Sequence, residues 1–135
     1  MTILSKDEER MVDIGTSDTL RALYSTAYVL LKDKSKELGL GLEFLKTGNC
    51  SAELAKEAAK QLIIIKDELS SFKPEEAVYD YRNLKAKGPW QNNISDDVTS
   101  CADLITTADG KVLLTELIDT LIYASDNNVS VEALG

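Results

Sequence analysis

Ser51-Ala52-Glu53-Leu54-Ala55-Lys56-Glu57-Ala58-Ala59-Lys60-Gln61-Leu62-Ile63-Ile64-Ile65-Lys66-Asp67-Glu68-Leu69 is the stretch on which the fold turns. Leu54, Ala58, Leu62, Ile65 and Leu69, with Phe72 beyond, recur at steps of three and four residues. That spacing puts them on one face of a helix. Ser51 is a good N-cap, and Glu53 suits the positive end of the helix dipole. Ile63 and Ile64 widen the apolar stripe beyond one face. The expectation is a central helix covered on two sides, ending near Ser70-Ser71.

Downstream, Pro74 cannot continue a helix but suits the first turn of a new one. A short helix from Glu75 to about Asn83 follows, with Val78 and Tyr81 inward and Tyr79 on the opposite face, free for a surface contact. Gly88-Pro89 marks a corner, followed by Trp90 and the polar run Gln91-Asn92-Asn93. Ser95 is placed to cap a short helix through Ile105, and Thr106 to Gly110 reads as a loop. The last helix runs from about Lys111 to Ser125 on Val112, Leu113, Leu114, Leu117, Ile118, Leu121 and Ile122. Asp126-Asn127-Asn128 breaks it, and Val129-Ser130-Val131 has the composition of a short strand.

Upstream, Thr16 and Ser17 can cap a helix from Ser17 to about Leu38, and Gly39 ends it. Gly39 to Leu45 reads as a short strand or an irregular packed stretch, then Lys46 to Asn49 as a turn. Met11 to Ile14 reads as a strand or a helical turn. The fold class expected is mainly α: a compact bundle of four to five helices, with room for one or two short strands, forming a single helical domain over residues 1–135. A chain of this length buries enough surface to fold without disulfides or metals.

The sequence contains no histidine. That excludes Ser-His-Asp and Cys-His catalysis and any histidine-based zinc site. Two cysteines, Cys50 and Cys101, cannot make a four-cysteine site and are expected as reduced thiols. Adjacent acids such as Asp96-Asp97 and Glu75-Glu76 point in different directions on a helix, so catalytic carboxylate pairing is not expected. Asp109, Gly110 and Glu116 have the spacing of a calcium loop's last ligands. Ile105 stands where such a loop needs an acid, so a tight turn is the better reading. No catalytic, cofactor or metal residues are assigned.

The net charge is −8, and its distribution is uneven. Residues 1–71 carry 12 acids and 10 bases, whereas residues 88–135 carry eight acids and one base, Lys111. Phosphate binding needs clustered Lys and Arg, so direct nucleic-acid binding is not expected. A one-signed acidic region complements a basic protein, or simply keeps the chain soluble. Trp90 is either a binding anchor among these acids or a lid folded over the core. The opening residues lack the apolar stretch of a signal peptide, and no run is long enough to span a bilayer. The expected location is the cytoplasm.

Phe44-Leu45-Lys46-Thr47-Gly48, the helix closing on Leu62 to Leu69, and Thr107-Ala108-Asp109-Gly110-Lys111 leading into Leu117 to Ala124 carry a further likeness. Over residues 44–125 the chain resembles the small immunity proteins of bacterial contact-dependent growth inhibition and related polymorphic toxin systems. Those proteins share a role more than a fold. The resemblance implies a non-catalytic protein that binds a cognate toxin and blocks its active site or its access to substrate. Many such toxins are nucleases, which are often basic, so the expected partner is a basic nuclease domain. The partner-facing residues expected are Tyr79, Trp90, Asp96, Asp97, Asp103 and Asp109. A helical adaptor binding some other protein is the alternative.

Overall fold

In the computed structural model, which describes residues 1–90 and 93–135, the quoted stretch is α3 (Ala55–Leu69), entered through a 3₁₀ turn at Ala52–Leu54. Ala55, Ala58, Ala59, Leu62, Ile65 and Leu69 form its buried face. Ile63 and Ile64 are 49% and 46% exposed, so α3 is covered on one side and not on two. Leu54 belongs to the 3₁₀ turn and is exposed as well. The helix packs on α4 (Leu113–Asn127) and on α2 (Gly39–Thr47). Lys66 Nζ donates to Thr115 Oγ1 across the α3–α4 seam at 2.9 Å.

α2 replaces the strand or irregular stretch expected at residues 39–45. The two glycines do not break it. The Gly41 N–H donates to Gln61 Oε1 at 2.7 Å, and a Cβ on Gly41 would sit 3.0 Å from the Gln61 Cβ and 3.2 Å from Ile65 Cδ1. A residue without a side chain lets α2 and α3 approach this closely. α1 (Ser17–Leu30) stops eight residues short of its expected end. The chain passes through a 3₁₀ turn at Lys32–Lys34 and doubles back, laying α2 against both α1 and α3. Leu31 and Leu38 are buried at either side of that reversal.

Among the described residues there are three strands, β1 (Thr2–Ser5), β2 (Met11–Asp13) and β3 (Val131–Leu134), in the order β2-β1-β3, all antiparallel. β1 gives no alternating signal because Ile3, Leu4 and Ser5 are all buried, as suits a central strand. β3 begins where the expected terminal strand was to end. Helix dominates all the same.

Two expected helices are not formed. Pro74 starts only a 3₁₀ turn, Pro74–Glu76, and Ala77 leaves helical geometry at ψ 145°. Residues 95–105 form turns and not a capped helix. Gln91 and Asn92, read as part of the polar run after Trp90, lie outside the described residues. One contiguous core draws on all four helices, on the sheet and on Cys101, Ala102 and Ile105. No helix among the described residues is long and apolar enough to cross a membrane.

Candidate protein-binding face

The segment after Pro74 is held open by two buried hydroxyls on α1. Thr26 is fully buried, and its Oγ1 accepts the Val78 N–H at 3.0 Å. Its own proton points toward the carbonyls of Ala22 (2.9 Å) and Val78 (3.0 Å). Ser25 Oγ, equally buried, accepts the Tyr81 N–H at 2.9 Å. These main-chain groups have α1 side chains for partners, and that is why residues 77–83 run as an irregular segment with a turn at Asp80–Asn83 where a helix was expected. A Thr26→Val substitution keeps the shape but leaves the Val78 N–H without an acceptor. It is expected to cost about 1–3 kcal/mol, measured by urea denaturation, with rapid amide exchange at Val78.

In this conformation Tyr79 and Tyr81 do not occupy opposite helix faces; both are half-buried against the core. The Tyr81 ring meets Tyr24 edge-on, with centroids 5.3 Å apart. Tyr79 meets Trp90 at 5.8 Å with an interplanar angle of 68°, a favourable edge-to-face geometry. The Tyr79 hydroxyl donates to Asp18 Oδ2 at 3.2 Å, while Asp18 Oδ1 pairs with Arg21 at 2.8 Å. Trp90 folds back over Gly88, where an added Cβ would lie 2.6 Å from the indole ring. Gly88 therefore sets the position of the indole.

Tyr79 and Trp90 line a cleft of about 500 Å³ with Asp18, Ala22, Pro89 and Ile105. Its size and its mainly apolar walls with one carboxylate suit a side chain inserted from a partner. The half-buried indole is both packed against the core and open to this cleft.

The four predicted aspartates are placed differently. Asp96 and Asp97 are exposed, with no ion pair among the described residues. Asp103 is half-buried and works locally. Burial alone would raise its pKa, but the N–H groups of Ser100 and Thr99 and the Thr99 hydroxyl together outweigh it and hold the carboxyl below its ordinary range. Asp109 lies at a second cleft, accepting the Thr107 hydroxyl and facing Lys111 at 3.6 Å. Around it, Thr107 N–H donates to the Lys111 carbonyl at 2.7 Å and Gly110 takes φ +86°, giving a tight turn in place of a calcium loop. Both cysteines are free thiols; the burial of Cys101 pushes its pKa to about 12.

The sequence reading missed the acids of the β1–β2 hairpin. Tyr123 on α4 donates to Asp7 Oδ2 at 2.7 Å, and Arg10 bridges to Glu116 at 2.6 Å. These contacts bring Asp7, Glu8 and Glu9 next to the acidic α4. They span more than 100 residues of sequence, so local charge counting cannot find them.

A family model described as Immunity protein 70 matches residues 5–133 of this chain. No curated protein and no solved structure matches it.

Proposed function

The chain belongs to the Immunity protein 70 family, and from that premise we propose that it binds and neutralises one cognate bacterial toxin domain. The toxin in this reading is a basic nuclease in the cytoplasm. The chain works as one domain and acts by occupancy, covering the active site or the path of the substrate, without catalysis of its own. The family match over nearly the whole chain carries the neutralisation reading, and the acidic charge of residues 88–135 supports a basic partner.

Contact is assigned to the Tyr79–Trp90 cleft and the acids around it. Trp90 supplies area in a recessed setting, which favours a few strong contacts over many weak ones. Asp96 and Asp97 are exposed and have no ion pair among the described residues, so they contribute mainly to the field that draws in a basic partner. Asp103 and Asp109 add to that field while holding their own turns. An inhibitor of a polyanion-binding enzyme gains speed by competing for the same positive surface.

A pull-down of the tagged protein from its native bacterium tests the reading. A stoichiometric basic partner, toxic when expressed alone and harmless beside this protein, is the expected result. Recovery of a housekeeping protein instead would sink the toxin reading in favour of an adaptor. A double reversal, Asp96→Lys with Asp97→Lys, is expected to slow association by about tenfold at low salt and to flatten its salt dependence, as steering charges do. Stopped-flow binding at two ionic strengths reads both effects.

A further inference from the structure

The two edges of the sheet are finished differently. Along β3, Cys50 exchanges both main-chain hydrogen bonds with Val131 at 2.9 Å, and Asn49 Oδ1 accepts the Ala133 N–H at 3.0 Å. Along β2 the ladder to β1 uses alternate residues. Ser5 N–H donates to the Arg10 carbonyl, Ile14 N–H donates to the Met1 carbonyl, and Val12 lies opposite Ile3. Antiparallel pairing then turns the main-chain groups of Met11 and Asp13 away from β1. The Asp13 carbonyl accepts the Ala108 N–H at 2.9 Å. Among the described residues, the N–H and C=O of Met11 have no protein partner, and Met11 is 63% exposed.

The turn that carries Ala108 stands opposite this edge. Between them lies a cleft of about 550 Å³ walled by Arg10, Met11, Asp13, Asp109, Lys111 and Glu116. It is separate from the Tyr79–Trp90 cleft.

We propose that this edge takes an extended segment of the toxin, which pairs its main chain with both groups of Met11 and so adds a strand to the sheet. The proposal rests on the neutralisation reading and names a second contact for it. Ala108 already occupies the next place along β2, so the segment must end there and its register is fixed. A three-residue edge is too short to recruit strands indiscriminately; the facing turn supplies the selectivity. Charge sets the occupant's chemistry. Arg10 is tied to Glu116 at 2.6 Å and Lys111 to Asp109 at 3.6 Å. Asp13 has no cationic partner among the described residues, and exposed Glu8 and Glu9 lie just before the strand. The segment that fits is therefore basic, with an apolar side chain across from Met11.

Amide exchange measured by NMR tests this, on the protein alone and saturated with the toxin domain recovered in the pull-down. The Met11 amide is expected to slow by tenfold or more in the complex, while the Val12 amide, already bonded to β1, changes little. A stoichiometric complex in which Met11 exchanges as fast as before would overturn strand addition and leave neutralisation standing. Absence of any complex with that toxin would overturn both. Met11→Pro removes the outward N–H at an edge position where proline is tolerated, and its toxin affinity is expected to fall by tenfold or more. Unchanged affinity in the folded variant counts against the proposal. If the variant does not fold, exchange in the unmodified protein decides.

Discussion

Trp90→Ala is expected to weaken toxin binding by about 30-fold or more, the equivalent of at least about 2 kcal/mol for a central aromatic anchor. The indole lies against Gly88 and meets the Tyr79 ring at 68°, and it forms a wall of the 500 Å³ cleft. It is therefore held in place before any partner arrives, and little rotamer entropy is lost on contact. Truncation removes contact area and also releases Tyr79, whose hydroxyl bond to Asp18 alone does not fix the ring. Tyr79→Phe deletes only that bond and is expected to cost far less. Calorimetric titration measures both variants. Their thermal unfolding separates lost contact from lost fold, because a half-buried indole also contributes to stability. If the folded Trp90→Ala protein binds within threefold of the parent, the residue serves only as a lid over the core.

Leu62→Ala is expected to carry the largest stability loss, about 2–5 kcal/mol. Leu62 is fully buried in the middle of α3, the helix that packs on both α2 and α4. The cavity has walls on several sides and cannot collapse by moving one helix. Set against a typical total of about 5–15 kcal/mol, such a loss takes a large share of the fold's margin. Urea denaturation should show a lower midpoint with an unchanged slope. Ile63→Ala and Ile64→Ala are the informative controls. The sequence reading has them widening the apolar stripe beyond the face that holds Leu62. At 49% and 46% exposure each should cost well under half as much.

That contrast illustrates where sequence was a sufficient guide. α1, α3 and α4 were legible because each carries a long apolar stripe at helical spacing, and their packing follows that stripe. α2 was misread because glycine is a helix breaker in isolation; here the close approach to Gln61 and Ile65 overrides that preference. Residues 75–83 and 95–105 were misread in the opposite sense. Their local pattern allows helix, yet the Val78 and Tyr81 main-chain groups find partners in Thr26 and Ser25, more than 50 residues away. β1 was invisible because it is a short strand buried along its length, without alternation. At the candidate site, Tyr79 and Trp90 were each singled out, but nothing local says that their rings meet. The scattered roles of the aspartates, and the hairpin acids beside α4, likewise depend on long-range contacts.

The place of β1 between β2 and β3 has a consequence for how the molecule comes into being. Residues 2–5 are made before the helices, and their partner at 131–134 is made after all four described helices. Until then β1 has only the β2 hairpin, and a lone two-stranded hairpin is marginal in water. The pairing that completes the sheet joins distant parts of the sequence, the kind of contact that slows folding. On the ribosome, therefore, the helices can gather early, but the sheet closes only when β3 has left the exit tunnel. Chains interrupted before that point hold Met11 and its neighbours on a hairpin tied to α4 and to Ala108 but not backed by β3, so full competence to protect the cell is expected only once β3 pairs.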